Sequence, residues 1–258
     1  TLKTGFLSKE KIERAVDVIK QFAQLARNRG VYRVFGVATA AVREASNGGE
    51  FLDRVQRECG IKVRTVTGDE EGRLIYLAVR HFMHLGGRTA FILDVGGGSA
   101  ELIAGNEREL KFNRSHKLGG ARLKDLFITK YPVPKSDHAR IHRHIADSIA
   151  PSIEELRSLP IDEVIGTSGT IINLGSVIKE RRDDEPLTNP AGFTFTIEEL
   201  EVLHKSLAKA DEREMEDIKG LDPERKDILL PGACLLLEIL QRLKKERVTI
   251  CDRAIREG

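Results

Sequence analysis

Between Phe91 and Gly105 the chain reads FILDVGGGSAELIAG. An apolar strand delivers Asp94, the next turn removes side chains at Gly96, Gly97 and Gly98, and Ser99 and Glu101 follow. Glycine tolerates positive φ and lets another group touch the main chain, at a cost in conformational entropy. Two readings are open. One is a tight hairpin turn; the other is a nest whose N–H groups hold phosphate oxygens. In the second, Asp94 and Glu101 hold a divalent cation, directly or through water, and Ser99 donates to a phosphate. Hard oxygen donors of this kind favour Mg²⁺ over zinc. The stretch is no dinucleotide fingerprint, because the third glycine position is Glu101 and a strand follows where a helix is needed.

A second small-residue turn, GTSGT, comprises Gly166, Thr167, Ser168, Gly169 and Thr170 between strand DEVI and helix TIINLGSVI. The N-terminus of that helix favours an anion. The alternative is ordinary N-capping by Ser168 or Thr170. TGDEEGR at 67–73 sets three acids at a helix start. They either complement the helix dipole or, at a strand's end near a domain boundary where clefts form, supply a general base for water. Arg43 closes ATAAVRE at a strand end. Its planar guanidinium suits bidentate phosphate contacts, or makes a surface ion pair. His138 and His142 stand four apart on a predicted helix, with His144 beyond. That is a possible metal pair, but no third ligand of suitable spacing follows, and a solvated face is the preferred reading.

These residues need elements to hold them. Ser8 caps a helix with apolar positions at Ile12, Val16, Ile19, Ala23 and Ala26, ending at Gly30. VYRVFGVAT (31–39) reads as a buried strand, Phe51, Val55 and Cys59 mark a short helix stopped by Gly60, and IKVRTVT is a half-covered strand. A helix from DEEGR onward turns Leu74, Ile75, Ala78 and Phe82 inward. Then AFILDVGG, SAELIAGN and ELKFNRS form an antiparallel meander. Helices over about 120–130 and up to about 159 lead to the strand and helix around GTSGT. KERRDDEPLTNP (179–190) reads as a solvated loop, and helices over 196–209 and 224–245 precede the last strand, RVTIC, which ends at Cys251-Asp252. The alternation predicts an α/β fold, with a boundary at Gly86-Gly87 between parts 1–87 and 88–258.

Composition narrows the function classes. The 258 residues are 40% hydrophobic and 32% charged, as in a soluble globular protein. With 42 basic and 40 acidic residues the net charge is +2, so no global field recruits nucleic acid or a membrane surface. Cys59, Cys234 and Cys251 lack CxxC spacing, which fits a reducing compartment. No apolar run reaches a membrane span and no signal peptide opens the sequence, so a cytoplasmic location is expected.

Taken together, ATAAVREASNGGEFLDRV, VTGDEEGRLIYLAV, LDVGGGSAELIAG and IGTSGTIINLG resemble the exopolyphosphatase and guanosine pentaphosphate phosphohydrolase (Ppx/GppA) family, of the superfamily that also holds actin and sugar kinases. The stretches keep the family's order and approximate spacing over essentially the whole chain. The resemblance implies an α/β fold of two actin-like (ribonuclease H-like) lobes with a cleft between them. By the same likeness Glu71 is the catalytic base, and Asp94 belongs to the metal and phosphate site, with Glu101 following the triplet. Arg43, the triplet Gly96–Gly98 with Ser99, and 166–170 would bind phosphate. Ala100 stands where the family has threonine and Gly72 where it has alanine. Nothing in TLKTGFLSKEKIERA matches the family's opening DxGSNS loop, so the first lobe is expected to lack its N-terminal strands.

The activity implied is Mg²⁺-assisted hydrolysis of a terminal phosphoanhydride, on inorganic polyphosphate or guanosine pentaphosphate. A non-catalytic alarmone or polyphosphate sensor is the alternative. Lys111, Lys117 and Arg122 are candidates for a cationic track, and a homodimer is plausible from the family.

Overall fold

The computed structural model describes residues 5–258; residues 1–4, at the head of the expected first part, lie outside the described residues. By packing, the chain divides into two compact units, Thr1–Thr67 and Gly68–Gly258.

In the first unit Ser8 acts as its position predicts. Its hydroxyl accepts from the Lys11 N–H at 3.3 Å and opens α1 (Lys9–Asn28). β1 (Gly36–Ala38), α2 (Ala40–Arg43), α3 (Gly48–Cys59) and β2 (Val63–Thr65) follow. α1 packs on α3 through Val16, Ala23, Phe51, Val55 and Cys59. α3 stops at Gly60, whose φ of +70° is the left-handed cap that glycine adopts readily. The buried strand expected over 31–39 is corrected. Only Gly36–Ala38 is strand, and Tyr32 and Phe35 are exposed. Among the described residues β1 pairs with the parallel β2 alone, so an apolar run here finds little surface to cover it. Arg43 is likewise on the short helix α2 rather than at a strand end.

The second unit begins with α4 (Gly68–Phe82), which lies before the Gly86-Gly87 boundary read from sequence yet joins the larger unit by packing on β4 and β5. The meander is present as β3 (Thr89–Val95), β4 (Ala100–Gly105) and β5 (Leu110–His116). Next come α5 (Gly120–Phe127), α6 (Lys135–Arg157), β6 (Ile161–Thr167), α7 (Ser168–Asp183), β7 (Thr194–Thr196), α8 (Ile197–Lys209) and α9 (Glu212–Glu216). A 3₁₀ turn (Pro223–Arg225), α10 (Lys226–Leu243) and β8 (Arg247–Ile250) complete it. The sheet order is β5-β4-β3-β6-β8-β7, with β3, β6 and β8 parallel. The predicted α/β class is therefore found, as a mixed sheet with helices. The solvated loop over 179–190 is shorter than expected, because α7 runs on to Asp183. Residues 179–183 extend that helix, with Lys179 reaching Asp183 one turn on.

β3 is buried at every residue, and strand alternation sorts its side chains into two cores. Phe91, Leu93 and Val95 join the large core with residues of α5, α6, α7, α8 and α10. Ala90 and Ile92 turn to the other face, where Ile75, Tyr76 and Val79 of α4 pack with Ile103 of β4. This alternation decides where the acids point.

Candidate functional site

Asp94 shares the parity of Ala90 and Ile92, so it belongs to the α4 face of the sheet. The hairpin register pairs it directly with Glu101, which in turn pairs with Ser115 on β5. Residues opposite one another across antiparallel strands point to the same face. All three therefore lie toward α4, whose first turn carries Glu71. Glycine lets that turn come close. A side chain at Gly68 would run into Ser115, and one at Gly72 into the Asn113 amide. Asn113 Nδ2 donates to the Asp69 carbonyl at 2.7 Å and ties the helix start to β5. Alanine at position 72 would force the Asn113 amide to shift. Asn113 Oδ1 itself is buried with no hydrogen-bond partner among the described residues.

The result is three buried carboxylates, with Glu71 and Asp94 each 8% exposed and Glu101 1%. Glu101 is pushed up to about 8, first by burial and then by the charges of Glu71 and Asp94. Ser115 Oγ donates to its Oε1 at 2.7 Å, which offsets part of that rise. Burial also raises Asp94, against one favourable bond from Thr167 Oγ1 to its Oδ2 at 2.7 Å.

The two small-residue turns end neighbouring parallel strands, so they emerge at the same, C-terminal end of those strands. At the second turn the capping alternative falls away. Thr167 is the N-cap residue of α7 and makes no side-chain cap bond. Ser168 Oγ instead donates to the Val95 carbonyl at 3.0 Å and accepts from the Val95 N–H at 3.3 Å. Ser168 holds φ at +83°, a left-handed conformation that costs a non-glycine residue about 1–2 kcal/mol. The strand-to-helix corner is thus fastened to the end of β3.

The first turn is a hairpin, closed by Gly96 N–H to the Ser99 carbonyl at 3.0 Å. Neither Gly96 nor Gly97 holds a positive φ; a Cβ on Gly96 would meet the Ser99 carbonyl at 3.3 Å, while one on Gly97 would make only ordinary contact. A Cβ on Gly119 would strike the Gly97 backbone, so the start of α5 presses on the turn. Gly120 N–H donates to Gly96 O at 2.9 Å, Arg122 N–H to Gly97 O at 3.1 Å, and Arg122 Nε to Gly98 O at 2.8 Å. Arg122 therefore braces the triplet's carbonyls.

Arg225 adds a charge that sequence reasoning missed. Its guanidinium lies so close over Gly169 that a Cβ there would overlap it, and Asp222 steadies it at 3.2 Å. A lone arginine in LDPERKD gives no sign of this. Arg43 belongs to the first unit, where it donates to the Val66 carbonyl at 2.5 Å. Lys111 is engaged locally with Thr89 Oγ1 at 3.3 Å. The histidine reading is corrected. His138 and His142 do not form a solvated face but meet His204 and Cys234, brought from α8 and α10. His144 stands apart, with its ring against Phe127.

The description "Ppx/GppA phosphatase family" fits a sequence model that matches residues 1–258. The chain belongs to that family. Among curated Ppx/GppA relatives, it is 29% identical over 252 residues to a guanosine-5'-triphosphate,3'-diphosphate pyrophosphatase of Vibrio vulnificus, covering 98% of this chain and 49% of that protein. It is 27% identical over 260 residues to exopolyphosphatase 1 of Mycobacterium bovis, covering 100% of this chain and 75% of that one. The chain thus spans about half the length of the first relative and three quarters of the second. An exopolyphosphatase structure from Cytophaga hutchinsonii superposes with TM-score 0.92 at 27% identity, over 100% of this chain and 83% of that one. The Aquifex aeolicus Ppx/GppA member gives 0.81 at 26% identity, over 99% and 81%. The resemblance read from the glycine and acid stretches is thereby established at the level of family and fold.

Proposed function

We propose that this chain hydrolyses the terminal phosphoanhydride of inorganic polyphosphate or of a guanosine pentaphosphate. The observation that carries this reading is the carboxylate cluster: Glu71, Asp94 and Glu101 crowd one buried spot at the strand ends from which both small-residue turns emerge. Burial raises the proton affinity of Asp94 and Glu101, and the charges of Glu71 and Asp94 raise that of Glu101 further; such a group is short of a cation, and an all-oxygen donor set suits Mg²⁺. Asp94 and Glu101 would hold it, and when bound it supplies positive charge against the phosphoryl oxygens.

Glu71, at the head of α4, orients and deprotonates the attacking water. Phosphoryl transfer depends chiefly on positioning and electrostatic stabilisation, which a fixed carboxylate and a fixed anion cradle provide. The N-terminus of α7, free of a side-chain cap, receives phosphate oxygens on its N–H groups. The Arg225 guanidinium over Gly169 neutralises charge beside it. Ser99, buried beside Glu101, and the hairpin 96–98 close the other side of the anion cradle. Arg43 is assigned to phosphate from the family likeness. Polyphosphate and guanosine pentaphosphate share the anhydride, and the family likeness supports both.

The test is phosphate release by the full-length protein with Mg²⁺, on long polyphosphate and on guanosine pentaphosphate. Release from either, abolished by a chelator of divalent ions, is the expected result. Tight binding of both with no phosphate released would replace the hydrolase with a sensor. If polyphosphate is the substrate, added salt should steeply raise KM for long chains; a flat response points to the nucleotide.

A further inference from the structure

We propose that His138, His142, His204 and Cys234 form a closed, four-ligand site for a borderline transition-metal ion, best matched by zinc. The four ligand atoms all lie within 4.8 Å of one another. His204 Nε2 is 2.9 Å from His138 Nε2, 3.4 Å from His142 Nε2 and 3.4 Å from Cys234 Sγ. A neutral imidazole nitrogen carries either one hydrogen or one lone pair, so a single Nε2 cannot satisfy three such neighbours. One central cation would accept a lone pair from each.

The three separations from His204 are close to what that role requires, and the wider ones, within 4.8 Å, would close on the ion. Tetrahedral zinc, with Zn–N of about 2.0–2.1 Å and Zn–S of about 2.3 Å, sets ligand atoms roughly 3.3–3.6 Å apart. Both 3.4 Å separations meet this, and the His138–His204 pair needs to open by only a few tenths of an ångström. His142 is also oriented from behind. Its Nδ1 lies 3.1 Å from Glu238 Oε2, while Glu238 Oε1 accepts from Arg242 Nε at 2.7 Å. A carboxylate on the far nitrogen fixes the tautomer that turns the Nε2 lone pair toward a metal.

Nitrogen and sulfur donors also separate this cluster from the all-oxygen carboxylates, so the two would not compete for one ion. The ligands come from α6, α8 and α10, elements remote in sequence. With four protein ligands and no open position, the ion would clamp three helices rather than perform chemistry.

The experiment is titration of the reduced, chelator-treated full-length chain with Co²⁺ alone, followed by Zn²⁺. One equivalent of Co²⁺ should raise tetrahedral ligand-field bands and a thiolate-to-cobalt charge-transfer band, both bleached by Zn²⁺. Cys234→Ser should lose the charge-transfer band, and Glu238→Gln should weaken Co²⁺ about 10–100-fold. If Cys234→Ser does not fold, partly exposed His142→Gln takes its place and should weaken Co²⁺ likewise, whereas His144→Gln should titrate as the parent. No charge-transfer band in the parent overturns the site. So does a band that persists in Cys234→Ser, or His142→Gln binding as tightly as the parent.

Discussion

Glu101 holds a negative charge only against burial and two neighbouring carboxylates, which is why its proton affinity rises to about 8. A bound cation removes that opposition and so stabilises the fold. At one hundred times its dissociation constant a ligand adds about 2.7 kcal/mol. Mg²⁺ should therefore raise the melting temperature of the parent by several degrees, and Glu101→Gln should abolish the rise. An equal rise in the variant would remove the cation from these acids. Ser168 makes a second residue-scale prediction. Ser168→Ala keeps the left-handed strain and loses both bonds to Val95, so it should destabilise by about 1–3 kcal/mol in urea unfolding. Ser168→Gly loses the same bonds but relieves the strain, and should recover about 1 kcal/mol of the loss. At this scale the sequence is informative where chemistry is local. Asp94 and Glu101 face each other because a four-residue turn and a period of two put them there. His204 and Cys234 lie 66 and 96 residues beyond His138 by the numbering, and no spacing rule joins them to it. Arg225 is hidden for the same reason.

Elements are held at the site by absent side chains as much as by present ones. Gly119→Ala sets a methyl against the Gly97 backbone, which cannot rotate away. It should cost about 1–3 kcal/mol, the usual range for overpacking. Gly49→Ala in α3 is the contrast: nothing lies near that position, so alanine should add about 0.5–1 kcal/mol through helix propensity. Equal effects in the two variants would contradict the packing account. His116 links β5 to α6 through Ser152 Oγ at 2.9 Å, and burial, then Arg114, lowers its pKa. A base depressed on folding contributes stability that is complete above its unfolded value near 6.5 and is lost as pH falls through the folded value. Stability of the parent should thus drop more steeply below pH 6.5 than that of His116→Gln, as read from denaturation midpoints. Strong periodicity made α1, α4 and the meander readable. β7 and α9 escaped because three- and five-residue elements carry too few turns of any period. The run 31–39 misled because apolar content reports what can be buried, not whether a neighbour exists to bury it.

The molecule as a whole is two units with unequal cores. The first rests on a small cluster around Val16, Phe51 and Val55, whereas the second surrounds a fully buried β3 with two packed faces. Local opening follows the amount of buried apolar contact. Backbone amides of β3 and β6 should therefore outlast those of α1 and α3 in native-state hydrogen exchange; the reverse order would mean that the larger core does not govern stability. The proposed hydrolysis makes a demand of its own: under it, the acids of α4, β3 and β4 and the turns after β3 and β6 act on one phosphate at once. The most direct measurement is steady-state phosphate release by the full-length protein with Mg²⁺, comparing the parent with Glu71→Gln on the better of the two substrates. Loss of a general base should lower kcat by about 10²–10⁴-fold while substrate binding and melting temperature stay near the parent's. A variant that turns over as fast as the parent would show that Glu71 is not the base and that the buried acids serve some other purpose.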